Sequence, residues 1–151
     1  MIGDEAEIAT TINTTEWLVS NGFEKVGHFV EKAKNGSGVG VDFMDAKFVN
    51  SDTDWIYTIV YDGVIKYIGE TAQTLAKRIR LYYLEARADS TNSAMRERLK
   101  KLLPQGHSFE IYAQKAPIVY YNGKDMKLRV DLEIALIKEL RPLWNKKGLY
   151  S

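Results

Sequence analysis

The chain contains no cysteine and two histidines in 151 residues. A disulfide framework, a thiolate nucleophile and a Cys-based metal site are therefore excluded. His28 and His107 lie far apart in sequence and read as surface or loop residues, since two distant imidazoles make no metal site. No run comes near the roughly 18 apolar residues that a membrane span needs. The opening "MIGDEAEIATT" is acidic and lacks a basic start and an apolar stretch, so it is not a signal peptide. Internal repeats and low-complexity tracts are missing too. These absences describe a soluble chain without a membrane partner, suited to a reducing, cytoplasmic compartment.

What is present suffices for one packed domain with an appended arm, since 45% of the residues are hydrophobic. The net charge of +1 hides a division. Residues 1–54 hold four lysines against ten acids, whereas residues 66–101 hold nine Lys and Arg against four acids. Clustered positive charge beside an acidic remainder fits a localised polyanion site. A solvated helix face is the competing reading.

The segment "TTEWLVSNGFEKVGHFVEKAKNG" predicts one or two short helices, with Thr14 or Thr15 as cap and Asn35-Gly36 as stop. "GSGVGVDFMD" predicts a joint and a short strand. Trp55–Tyr61 and Val64–Ile68 are β-rich runs around Asp62-Gly63, a two-residue hairpin signal. A helix is expected over Thr71–Ala88, with Leu75, Ile79, Tyr83 and Ala86 on one face, and a second near Ser93–Leu103. "SFEIYAQ" alternates as a half-buried strand, "PIVYYNGKDMKL" gives a short strand and an Asn122-Gly123 turn, and Arg129–Leu140 is a final apolar helix stopped by Pro142. The expected fold is α+β, a small, mainly antiparallel sheet flanked by helices. Its core spans residues 55–151, and residues 1–54 form a helical, acidic arm for dimerisation or for embracing a ligand.

Two positions break the apolar pattern. Glu133 falls between Leu140 and Ile137 on a helical wheel, inside the arc that faces the core. A carboxylate there is costly without a cation, a donor or a metal. Arg78 and Tyr82, four residues apart, share a face at the border of the apolar stripe. An arginine, a carboxylate and several phenols are suited to chemistry at a phosphodiester.

"WIY" (Trp55 to Tyr57), nine intervening residues, and "YIG" (Tyr67 to Gly69) resemble the half-motifs of the GIY-YIG nuclease family. Arg78 in the next helix, Tyr82 four residues later, and Glu133 before the Pro142 to Asn145 ending "PLWN" follow in the family's order. The resemblance covers residues 55 to about 147. It is greatest to the small stand-alone members, the restriction endonucleases and the compact phage endonuclease II, through Tyr82-Tyr83, "DSTNSAMRERL", "FEIYA" and "DLE". Two departures stand out. Trp55 replaces the first glycine of the motif, and Glu70 stands where some relatives carry a lysine, a role for which Lys66 or Lys77 would have to substitute.

The resemblance implies roles for these residues. Glu133 would hold one Mg²⁺ ion, for which Mn²⁺ could substitute. Arg78 would give a fork of donors to the phosphate. Tyr57 is the candidate general base, which requires nearby cations to lower its pKa or a neighbour to take its proton. Tyr67 would orient Tyr57, the water or the phosphate, and Tyr82 would add a hydrogen bond. Gly69 would allow a strand-to-helix turn and close backbone approach, and Asn145 would brace the site. Lys77, Arg80, Arg87, Arg96, Arg98, Lys100 and Lys101 are the expected DNA phosphate contacts. The implied function is a Mg²⁺-dependent, sequence-specific restriction endonuclease acting on double-stranded DNA in the cytoplasm of a bacterial or phage-infected cell. It would work as a homodimer or larger even assembly, since one site cuts one strand. A loosely specific nicking enzyme from a phage or mobile element and a silent DNA-binding module are the alternatives.

Overall fold

The computed structural model describes residues 14–32, 38–84 and 91–145. Arg87, the Asn35-Gly36 stop and the expected helix end at Ala88 lie outside the described residues.

Thr14 caps α1 (Thr15–Ser20), its hydroxyl accepting from the Trp17 amide. β1 (Glu24–Glu31) and β2 (Val39–Phe43) follow, then the single-turn α2 (Lys47–Asn50). β3 (Thr53–Tyr61) and β4 (Val64–Thr74) form a hairpin through Asp62-Gly63 and lead into α3 (Leu75–Leu84) and α4 (Thr91–Leu102). A 3₁₀ turn (Leu103–Gln105) precedes β5 (Phe109–Lys115). The chain continues through β6 (Ile118–Tyr121), β7 (Lys124–Lys127) and α5 (Arg129–Leu140).

Five strands form one sheet in the order β2-β1-β5-β3-β4, and every neighbouring pair is antiparallel. The fold is therefore the expected α+β sheet with flanking helices. β6 and β7 form a separate two-stranded ribbon whose residues are all exposed.

Two expectations are corrected. Glu24–Glu31 is a strand, not a continuation of helix. Val26, Phe29 and Val30 fit a helical stripe as well as a strand, but pairing decides: β1 bonds to β2 on one side and to β5 on the other. A Cβ on Gly27 would overlap the Asp42 carbonyl, so only glycine admits this approach of strands. The segment expected as an arm thus supplies two strands of the site-bearing sheet. The second correction concerns Thr71–Thr74, which extends β4 where a helix was expected. Two of its four residues are β-branched threonines that pair with Trp55 and Thr53.

Alternation along β3 divides the core. Trp55, Tyr57 and Ile59 pack with Leu75, Ile79 and Tyr82 of α3 and with Met95 and Leu99 of α4. Ile56 and Val60 pack on the other face with Leu18 of α1 and with Leu136, Ile137 and Leu140 of α5. Val130 and Ile134 of α5 point to solvent. Beyond α5, the chain closes on the free edge of β4. The Trp144 amide donates to the Lys66 carbonyl at 2.9 Å, and the Asn145 side chain bonds both the amide and the carbonyl of Ile68, at 3.0 and 2.9 Å. A terminal edge that would otherwise be open to pairing is covered.

Candidate active site

β3 and β4 place three of the expected residues as cross-strand neighbours. Tyr57 pairs directly with Gly69, and Ile59 with Tyr67, so both phenols point to the face covered by α3. A Cβ on Gly69 would overlap the hydroxyl and ring of Tyr57. Gly69 lies within β4, six residues ahead of α3, so its role here is space for the phenol; no strand-to-helix turn occurs at it.

Tyr57 and Tyr82 are completely buried, and their hydroxyls are 2.5 Å apart. Tyr67 is part-buried, its ring centroid 5.9 Å from that of Tyr82 and 6.5 Å from that of Tyr57. The three phenol rings pack on one another, and Tyr67 is the one nearest solvent. Arg78, one helical turn before Tyr82, lays its guanidinium over the Tyr82 ring at 4.4 Å and donates to Asn92 Oδ1 at 3.2 Å.

Glu133 lies on α5, which packs on the opposite face of the sheet. β4 is a terminal strand, so the carboxylate can approach around its rim. Its charge acts on Tyr57 and Tyr67, and Arg78 acts on it in turn. Burial, and then the nearby Glu70, push the Glu133 pKa up to about 7, against the opposing pull of Arg78 and Arg129. Among the described residues Glu133 forms no ion pair.

The phenols differ from the expectation. Burial raises the Tyr57 pKa far above its usual range, and the neighbouring Tyr67 adds to this, outweighing Arg78. Tyr82 is raised as well, through burial and the adjacent Tyr57 and Tyr67. Nearby cations therefore do not lower Tyr57 in this form. Among the described residues its hydroxyl bonds Tyr82.

Glu70 also finds a partner. It accepts from Arg129 Nε, and the Arg129 Nη1 donates to Asp54 Oδ1 at 2.8 Å. Arg129 escaped the sequence reading, although two signals were there. A cation in the first turn of a helix opposes the helix dipole and calls for acids nearby, and Arg129 stands one turn ahead of Glu133. Asp54 is itself in the left-handed region, at φ 64°, at an irregularity in the β3–β4 register.

The expected phosphate contacts divide. Lys77, Arg80, Lys100 and Lys101 are exposed, whereas Arg96 and Arg98 are part-buried. Arg98 stacks over Trp144 at 4.5 Å, and Arg96 Nε is a buried donor without a partner among the described residues. Arg80 lines a cavity of about 560 Å³ between β2 and α3, together with Lys32, Asp42, Asp45 and Tyr83. His28 and His107 stay outside the site. His107 stacks on Tyr61 and bonds Asp62 at 2.7 Å, tying the β3–β4 turn to the start of β5.

One carboxylate with no protein partner suits a divalent ion that keeps most of its waters. No group of three or more His, Asp or Glu among the described residues could enclose a metal, so an all-protein cage is not available there. The donor set fits a hydrated Mg²⁺ at Glu133.

No protein-family model and no curated protein sequence matches the chain. Solved structures do. A glutamate-to-alanine variant of bacteriophage T4 EndoII superimposes with a TM-score of 0.66 at 21% identity, over 89% of this chain and 99% of that one. Restriction endonuclease HPY188I in complex with product DNA gives a TM-score of 0.52 at 17% identity, over 91% of this chain and 85% of that one. The α+β fold is the one these two proteins share.

Proposed function

We propose that this chain is a divalent-metal-dependent endonuclease that hydrolyses phosphodiester bonds in double-stranded DNA. The observation that supports the reading is the cluster of the Tyr57, Tyr67 and Tyr82 rings with the Arg78 guanidinium stacked 4.4 Å over Tyr82, beside a terminal strand against which the Glu133-bearing helix packs. The likeness to a phage endonuclease and a restriction endonuclease supports the same broad activity. The finer reading is a sequence-specific restriction enzyme, with Mg²⁺ or Mn²⁺ at Glu133 and two copies acting on the two strands.

Arg78 donates to the non-bridging oxygens of the scissile phosphate as their charge rises. Its stacking on Tyr82 fixes the plane of the guanidinium, so little reorientation is needed in the transition state. Glu133 would hold a divalent ion, which would supply further charge neutralisation during the displacement. The attacking water gives up a proton as the new P–O bond forms and the P–O3′ bond breaks. Tyr67, the part-buried phenol, can accept that proton from the water only while its own passes to bulk solvent, with the buried Tyr82–Tyr57 pair packed behind it, and a solvent proton then neutralises the departing 3′ oxygen. Tyr67→Phe is accordingly expected to lower the single-turnover cleavage rate by about 10- to 100-fold with little change in DNA affinity. Single-turnover kinetics beside fluorescence anisotropy measures both, and an undiminished rate would remove Tyr67 from the proton transfer.

Plasmid digestion tests the function itself. Discrete fragments with Mg²⁺, abolished by EDTA and by Arg78→Ala, are the expected result. Two other outcomes are distinguishable. Nicks at degenerate positions would assign loose specificity. Gel retardation of DNA without cleavage across divalent metals would leave a binding module only.

A further inference from the structure

We infer that Asn92 is a positioning residue for Arg78, chosen to be neutral so that the guanidinium stays uncompensated for a phosphate. This rests on the nuclease reading, because the role needs an anion for Arg78 to meet.

Arg78 is held from two directions. The Tyr82 ring fixes the plane of the guanidinium, at 4.4 Å, and Asn92 Oδ1 fixes its rotation within that plane, accepting from Nη1 at 3.2 Å. Asn92 belongs to α4, whereas Arg78 and Tyr82 belong to α3. The contact therefore ties the orientation of the cation to the packing of the two helices. A guanidinium has five donors, and one bond to Asn92 leaves the remainder for a ligand.

Among the described residues Arg78 forms no ion pair. Arg129, close by in the site, shows the opposite arrangement, bonded to both Glu70 and Asp54. One arginine is thus saturated by acids and acts as structure, while the other is steered by a carbonyl and keeps its charge. An aspartate at position 92 would have nearly the same shape as asparagine but would convert the contact into an ion pair, drawing the guanidinium away from a phosphate and cancelling its field.

The test compares Asn92→Ala, Asn92→Asp and Arg78→Ala with the wild type in single-turnover cleavage of a DNA duplex. Asn92→Ala is expected to slow cleavage about tenfold by releasing the guanidinium, and Asn92→Asp about a hundredfold despite its conserved shape. The Arg78→Ala, Asn92→Ala double variant should be no slower than Arg78→Ala alone, because Asn92 acts through Arg78. Equal losses in Asn92→Ala and Asn92→Asp, or full additivity in the double variant, would overturn the inference. Melting temperatures identify a variant that merely fails to fold. A measurement independent of cleavage separates this idea from the nuclease reading. The ¹⁵N-bound side-chain protons of Arg78 should show restricted rotation in the wild type and faster rotation in Asn92→Ala. Identical spectra would sink the inference even if the protein cuts DNA. A restricted Arg78 in a protein that never cuts would sink the nuclease reading instead.

Discussion

Replacing Glu133 with Gln is expected to abolish DNA cleavage and, in the same protein, to raise its melting temperature above neutral pH. The Glu133 pKa in the folded chain is about 7, well above the ordinary glutamate value of 4.5. Between those values the native state keeps a proton that the unfolded chain has released, so native stability falls as pH rises through that window. Glutamine is permanently neutral and escapes the loss. Below about pH 4.5 both states of the wild type are protonated and the two proteins should melt together. The gap should open from there to pH 7 and stay constant above, at about 2–5 °C for a domain of this size. Calorimetry without divalent ions, repeated from pH 4 to pH 8.5, measures it. Added Mg²⁺ should then stabilise the wild type and leave Glu133→Gln unaffected. Cleavage by the wild type should rise with pH through 7 for the same reason, since a protonated carboxyl competes with the ion. A variant that melts below the wild type at pH 8, or still cuts DNA, would contradict this account of Glu133.

Gly69→Ala should be the most damaging small substitution in the sheet. The added methyl would occupy the place of the Tyr57 hydroxyl and ring edge. Tyr57 is completely buried and cannot swing aside. Overpacking of this kind costs about 1–3 kcal/mol, or a fall of roughly 3–10 °C in melting temperature. Cleavage should fall about a hundredfold or more even where the variant is folded, because the Tyr57 hydroxyl leaves Tyr82. Gly63→Ala provides the contrast. Gly63 has a left-handed backbone, at φ 85°, with nothing within 4 Å of the added carbon. Its cost is conformational, about 1–2 kcal/mol, and cleavage by the folded protein should be unaffected. If Gly69→Ala and Gly63→Ala lost activity equally, crowding at Tyr57 would not be the cause.

The hairpin was legible because Asp62-Gly63 dictates its turn and the flanking strands are rich in β-branched and aromatic residues. Arg129–Leu140 was legible from helical periodicity and a terminating proline, with the same bounds in the structure. β1 was not. Val26, Phe29 and Val30 satisfy the i, i+3, i+4 spacing of a helix, and only the partners β2 and β5, distant in sequence, decide for a strand. The site divides in the same way. Tyr57, Tyr67, Arg78, Tyr82 and Glu133 became candidates because the spaced pattern that resembles a known family carries them. Asn92, Arg129 and Asp54 act through side-chain contacts between elements far apart in the chain, and no local spacing announces those. The ionisation of Tyr57 was also beyond the sequence, since it depends on how completely two helices exclude water from its hydroxyl.

The order of the strands has a consequence during synthesis. β5, at the centre of the sheet, is read out after residue 108, and Glu133 later still. A nascent chain that has left the ribosome as far as α4 holds the paired β3–β4 hairpin and the β1–β2 pair, yet lacks the strand that joins them. It lacks the acid as well. The acid of the proposed site is therefore the last of its residues to be made, after the central strand that joins the two halves of the sheet.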